Sequence, residues 1–312
     1  MFVLLKPGIT IPFMRFAKPA TVLSLLLVAL SIFSLATKGL NWGLDFTGGT
    51  VVEVKFSQEA QLPAMREALN QVQLEGAVVQ HFGSNRDVLI RMAPKGEVSQ
   101  QSIADGVLKA AKQLDGQAQL TRVEFVGPAV GQELAEQGML AIFAALACIL
   151  IYVAFRFEWR MATGAVMSLG HDVIVTLGIF SWWQLEFDLT VLAAVLTVVG
   201  YSLNDTIVVF DRVREDARKL RNMTMAATLD VAMTETLGRT LITSGTTLFV
   251  VIALFVQGGP LIHGFATALL IGIGFGTYSS IYVASAWALF LKMDRENLMP
   301  VEVEKEGADL EP

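Results

Sequence analysis

Six long apolar runs decide what this chain can become. They cover residues 19–37, 138–155, 162–183, 189–210, 241–257 and 261–291, and each reaches or nearly reaches the ~20 residues that span the hydrocarbon of a bilayer. Inside lipid every backbone N–H and C=O needs an internal partner, so runs of this kind fold as helices. With 54% apolar and 17% charged residues and a mean hydropathy of +0.56, the chain is too apolar for an ordinary soluble domain and fits a polytopic membrane protein. The first run imitates a secretory signal, with Ser34-Leu35-Ala36 in the place of a cleavage site. Its apolar core is longer than the ~7–15 residues of such signals, so the expectation is an uncleaved anchor.

Lysine and arginine orient the spans. Lys6, Arg15 and Lys18 precede the first run, and Arg156 and Arg160 separate the second from the third. Arg212, Arg214, Arg218, Lys219, Arg221 and Arg239 fall between the fourth and fifth, and Lys292, Arg295 and Lys305 follow the sixth. The turns around 183–188 and 257–261 contain neither residue type. The positive-inside rule then expects cytoplasmic termini on both sides of the spans. On this reading residues 1–37 hold the N-terminus and first span, and 138–292 hold spans two to six with a cytoplasmic loop at 212–239. Residues 293–312 form a cytoplasmic tail, acidic and disordered from Glu302 on. The basic stretch Arg212–Gly238 is expected as an amphipathic connecting helix able to lie along the membrane surface.

Residues 38–137 fall on the opposite side and read as a small α+β domain. Thr50–Phe56 is expected as a strand and Leu62–Val72 as an amphipathic helix with Pro63 in its first turn. Ala77–Phe82 and Val88–Met92 are expected as strands joined by a hairpin loop at Gly83–Asp87. A helix at Ser99–Leu114 and a strand at Leu120–Val126 complete a βαββαβ, ferredoxin-like order. His81 stands alone on a strand, where a structural role is the rule.

Polar residues inside the apolar runs carry the functional argument. Asp205 lies within the fourth run, flanked by Ser202, Asn204 and Thr206. A charge there costs at least ~2.5–3.5 kcal/mol, so such a residue faces a protein interior or a hydrated path. Either it carries protons or ions, or it is a hydrogen-bonded aspartate that joins helices. Arg239 opens the fifth run at a similar depth, positioned to pair with Asp205 from the cytoplasmic half or to serve as a positive-inside anchor. Thr243, Thr246 and Thr247 continue its face. On the third run Ser168, Asp172 and Thr176 share a helix face near mid-membrane, with His171 adjacent and pointing elsewhere. In the sixth run Gly264, Ala268, Gly272, Gly276, Ser280, Ala284 and Ala288 recur every four residues, a ridge that lets another backbone approach closely. No basic patch interleaved with aromatics supports nucleic-acid binding. Cys148 is the single cysteine, which excludes an intrachain disulfide. No nucleophile–base pair, metal-ligand set or cofactor motif points to an enzyme.

Six segments together resemble the SecF family of the bacterial Sec export machinery: GLDFTGGT (43–50), VGPAVGQEL (126–134), GHDV (170–173), VGYSLNDTIVVFDRVRE (199–215), TLGRTLITSGTTL (236–248) and GTYSSIYVAS (276–285). The resemblance covers nearly the whole chain. It implies a six-span subunit in the inner membrane, similar to half of a resistance-nodulation-division transporter, with residues 38–137 periplasmic. The other half comes from SecD, and the pair assists the SecYEG channel by drawing unfolded preprotein across with the proton-motive force. It also implies that Asp205 and Arg239 take part in proton transport; Asp172 is a weaker candidate, more readily read as part of a polar network or as orienting its helix than as a proton carrier. Gly43, Asp45, Gly48 and Gly49 are expected to set the angle of the external domain, and Gly272 and Gly276 to serve helix docking. The alternative is a scaffold that stabilises SecD and bridges to YajC- or YidC-type partners without proton passage. A drug or lipid exporter of the same superfamily fits less well, because such pumps carry two halves and larger external domains.

Overall fold

A computed structural model describes residues 9–93 and 100–298. Six of its helices are long and apolar enough to cross a membrane. Helix α1 (Ala17–Lys38) follows a short 3-10 turn at Phe13–Phe16. After the external segment come α5 (Pro128–Arg156), α6 (Trp159–Trp183), α7 (Leu189–Lys219), α8 (Met225–Gln257) and α9 (Pro260–Phe290). Short turns join these five, so they alternate in direction. Helices α6, α7 and α9 form the packed centre, where Met161, Ala165, Phe210, Val213, Ala284 and Ala288 are buried. Helices α1, α5 and α8 surround it and leave large apolar side chains such as Phe143, Phe155 and Phe249 exposed.

The apolar runs understate the helices. Helix α5 begins ten residues before its run, and α7 continues to Lys219. The connecting helix expected over 212–238 is therefore absent as a separate element. Its residues are shared between the end of α7 and the start of α8, with a break only at 220–224. Thr224 ends that break by capping α8, its hydroxyl accepting from the Ala227 amide. Across it Arg212 pairs with Glu235, and Arg156 joins α5 to Asp211 of α7 at 2.6 Å. The acidic tail lies outside the described residues.

The external segment folds as β2 (Gly49–Lys55), α3 (Leu62–Gln71), β3 (Val78–Phe82), β4 (Ser84–Met92), α4 (Gln100–Leu114) and β5 (Gln119–Val126). The sheet order is β3-β4-β2-β5, antiparallel throughout, which is the ferredoxin-like arrangement. Alternation in β2 sends Val52 and Val54 to the helices, where they meet Met65, Leu69 and Val107. The hairpin differs from expectation. Gly83 alone makes the turn, and Ser84–Asp87 belong to β4, with Asp87 paired to Lys55 of β2. These polar residues favour turns singly, but a neighbouring strand holds them extended.

Two small elements went unforeseen. Strand β1 (Asn41–Trp42) pairs in parallel with β6 (Glu186–Phe187) in the α6–α7 turn, and α2 (Leu44–Thr47) follows β1. They seat the sheet on the outer ends of the membrane helices. Arg91 of β4 donates to the Trp42 carbonyl at 2.8 Å and forms an ion pair with Glu186. Burial pushes the Glu186 carboxyl above the usual carboxylate range, while Arg91 beside it pulls the other way.

This contact gives a first prediction. Arg91→Ala leaves the half-buried Glu186 without its cation and is expected to cost ~1–3 kcal/mol of docking. Proteolysis or hydrogen exchange at 41–48 and 184–188 measures it; unchanged protection contradicts the coupling. Folded Glu186 binds its proton more tightly than the unfolded chain does. Its contribution is therefore most favourable on the acid side and declines as pH rises from the ordinary carboxylate range through the raised value. Glu186→Gln removes that dependence.

Candidate functional site

Helix α9 docks on α7 through its ridge of small residues, and the site forms along that seam. A Cβ added at Gly272 would lie 2.2 Å from Cγ2 of Val198, and one at Gly276 would lie 3.2 Å from the Ser202 Cβ. The ridge therefore packs inside the chain rather than against another subunit. Close approach brings hydroxyls from α9 up to carboxylates on its neighbours.

Asp205 is buried, at 8% exposure. Its Oδ1 accepts from Thr240 of α8 and its Oδ2 from Ser280 of α9, each at 2.6 Å. Asp172 of α6 is fully buried. Its Oδ2 accepts from Ser202 of α7 at 2.5 Å and from Ser279 of α9 at 2.7 Å. Ser168 in turn donates to Ser279 at 2.9 Å. Adjacent serines of α9 thus hold the two carboxylates, Ser279 on Asp172 and Ser280 on Asp205. Nearby, Tyr201 donates to Ser244 at 3.2 Å, and Ser244 meets Thr277 at 2.9 Å.

Depth along the helices separates the two acids. Asp205 lies ~24 Å along α7 from Leu189 and Asp172 ~16 Å along α6 from Trp183, at ~1.5 Å per residue. Both helix ends adjoin the external domain, so Asp205 is the deeper.

Of the two readings open for Arg239, a pair with Asp205 or an anchor, the pair is not formed among the described residues. Depth alone says nothing of azimuth. Helix α8 turns Thr240 toward Asp205, while Arg239, about 100° around the helix, is exposed. Among the described residues its side chain has no hydrogen-bond or ion-pair partner. Thr243, Thr246 and Thr247 lie on the same exposed face, bonded to carbonyls of their own helix.

His171 also departs from expectation. Its ring turns back so that Nδ1 lies 3.0 Å from Asp172 Oδ1, and the residue is only 5% exposed. Sequence reasoning missed this contact, together with Thr240 and Ser279. A serine pair deep inside an apolar helix is the available signal, and Ser280 serves both as a small ridge residue and as a donor to Asp205.

At the outer end, Asp45 holds the helix that carries Asp205. Its Oδ2 accepts from the Leu189 amide at 3.0 Å, beside the N-cap Asp188, which accepts from Val191 at 2.8 Å. Two carboxylates at a helix N-terminus suit its unpaired amides and its dipole. Gly43 lies against Asp188 and Gly48 against Pro128, the first residue of α5. Gly49 has φ +124°, and a Cβ there would meet the Met92 carbonyl at 2.3 Å, so only glycine starts β2 here.

Comparison with known proteins matches two family models. "Protein export membrane protein SecD/SecF, C-terminal" covers residues 107–294 and "SecD/SecF GG Motif" covers 33–60. Protein translocase subunit SecF of Vibrio alginolyticus is 59% identical over 312 residues, covering 100% of this chain and 99% of the relative. The SecF of Haemophilus influenzae is 51% identical over 308 residues, covering 97% and 94%. The crystal structure of SecDF, a translocon-associated membrane protein from Thermus thermophilus, superposes with a TM-score of 0.85 at 36% identity, covering 94% of this chain. The chain spans 40% of that longer protein. A second SecDF structure, in a super-membrane-facing form, gives a TM-score of 0.70 at 35% identity. With a family model over more than half its length and full-length relatives at this identity, the chain is a multi-pass membrane protein that belongs to the SecF family of protein translocase subunits.

Proposed function

We propose that the chain is the SecF half of a SecD–SecF assembly that uses the proton-motive force to draw preproteins from the SecYEG channel. The assembly sits in the bacterial inner membrane with both termini cytoplasmic and residues 38–137 periplasmic. One observation carries this reading. Asp205 is a buried carboxylate inside a membrane helix, held by two hydroxyls, with no ion-pair partner among the described residues. Its charge is costly where it sits, and taking up a proton removes that cost.

Arg239 completes the proposal from the outside. An arginine on the exposed face of a membrane-crossing helix calls for a partner surface or a snorkelling route. The threonine-lined face of α8 that bears it is the surface we assign to SecD. An ionised Asp205 draws in Thr240 and Ser280 and attracts the Arg239–SecD side; protonation releases that attraction, and α7, α8 and α9 repack. Asp45 and the β1–β6 pairing tie α7 to the external domain, so repacking is transmitted outward. Each charge crossing supplies ~2.3 kcal/mol per 100 mV, enough for a few protons to drive a domain swing.

A scaffold role has one observation in its favour: the Thr240 and Ser280 hydrogen bonds also serve as links between helices. Vesicles carrying the complete translocase separate the two. With a proton gradient alone translocation is expected to be stimulated, with a sodium gradient alone not. Arg239→Gln is expected to lower the proton-driven stimulation by about tenfold or more. Equal stimulation with and without Arg239 contradicts the role assigned to it.

A further inference from the structure

We propose that His171 and Asp172 form a second proton-handling pair, which takes up one proton on the outer side of Asp205. The inference rests on the proton-coupled reading above and adds a site to it.

Asp172 has no exposed surface, and among the described residues the His171 ring is the one basic group within salt-bridge distance of it. Its donors are Ser202, Ser279 and the His171 ring. With a neutral imidazole and an ionised carboxylate, the pair carries one uncompensated negative charge in a closed site. A single added proton makes it neutral overall, whether that proton rests on the ring or on the carboxyl. Neighbouring residues of a helix point about 100° apart, so the contact exists only because both side chains turn toward each other.

The other ring nitrogen shows where a proton enters. His171 Nε2 is buried and has no hydrogen-bond partner, a situation that buried polar atoms rarely tolerate without a functional reason. The ring lies beside Phe275 and Tyr278 of α9, with centroids 6.5 and 6.1 Å away. It shares its helix face with Gly178 two turns outward, which packs on Ser31 of α1. One turn farther out Ser34 and Ser181 meet at 2.9 Å, and on the inner side Tyr278 bonds to Ser24 and to the Ala20 carbonyl. Hydroxyls thus occur at the outer end of this α1–α6 contact, at Ser34 and Ser181, and beside the ring, at Tyr278. Helix α1 has no charged residue between Lys18 and Lys38, α9 offers only Tyr278 near the ring, and Asp205 is the next acid, on α7.

The transfer balances. A protonated water gives its proton to Nε2, forming N–H there. The Nδ1–H bond breaks and an O–H bond forms on Asp172 Oδ1, leaving the ring neutral with its proton on Nε2. Asp172 then holds the proton as a neutral acid, with Ser202 and Ser279 still against its Oδ2.

The sequence contains three histidines, so histidine-specific ¹⁵N labelling reads this pair in the unmodified protein. The chain is purified with its SecD-type partner in lipid nanodiscs, and the His171 signal is assigned by its loss in His171→Gln. On acidification the ring is expected to change its proton pattern, either to the two-proton form or from the Nδ1–H to the Nε2–H tautomer, and Asp205→Asn is expected to shift that transition. A single tautomer from alkaline to acid pH, or a transition indifferent to Asp205→Asn, overturns the proposal even if His171→Gln fails to assemble. Proton-driven translocation in vesicles supplies the second arm, with an expected drop of about tenfold or more in His171→Gln. If Asp205→Asn abolishes that activity while His171→Gln keeps it, this inference alone fails. If Asp205→Asn keeps it, the proton-coupled reading fails first.

Discussion

Asp205→Asn is expected to abolish proton-driven translocation while leaving the fold and assembly with SecD intact. Asparagine has almost the same shape, and its amide can satisfy Thr240 and Ser280 because both hydroxyls rotate. Losing the charged acceptor is expected to change stability by only ~1 kcal/mol. What disappears is the capacity to gain and lose a proton. Export assays under an imposed gradient, paired with recovery of the intact complex, read the two effects apart. Normal gradient-driven export in an assembled Asp205→Asn complex leaves the scaffold reading in place.

Gly272→Leu is expected to have the largest structural effect. A Cβ at this position already overlaps Val198, a 1% exposed β-branched residue that cannot rotate away within α7. The first carbon alone is expected to cost ~1–3 kcal/mol, and leucine more. Relief requires α7 and α9 to separate, which withdraws Ser279 from Asp172 and Ser280 from Asp205. The loss should therefore appear in thermal unfolding in detergent and in function together. Gly274→Ala is the control, because nothing lies within 4 Å of a Cβ there. It is expected to be neutral or to gain up to ~1 kcal/mol of helix propensity. Equal melting of the two variants contradicts the packing argument.

The sequence pattern revealed spans better than edges, and faces better than partners. Apolar runs mark where a helix meets lipid, but α5 from Pro128 and α7 as far as Lys219 continue in polar residues without hydropathy contrast. The βαββαβ order was legible because α3, α4 and the strands alternate clearly. The two-residue strands β1 and β6 carry no such period, and only tertiary contact forms them. In the site, the costs of Asp205 and Asp172 were visible from their apolar surroundings. Which donors meet them was not, because a one-residue step on a helix changes direction by about 100°. That step separates Thr240, which binds Asp205, from Arg239, which faces outward. The His171 contact arises from side-chain rotation, which helix periodicity does not encode.

Difference infrared spectroscopy of the complex in oriented vesicles tests the central claim most directly. When the face bearing the external domain is acidified, a protonated-carboxyl band from Asp205 is expected in the unmodified protein, and that contribution is expected to be missing in Asp205→Asn. Identical difference spectra for the two proteins would mean that this carboxylate does not take up the proton, and the account would be wrong.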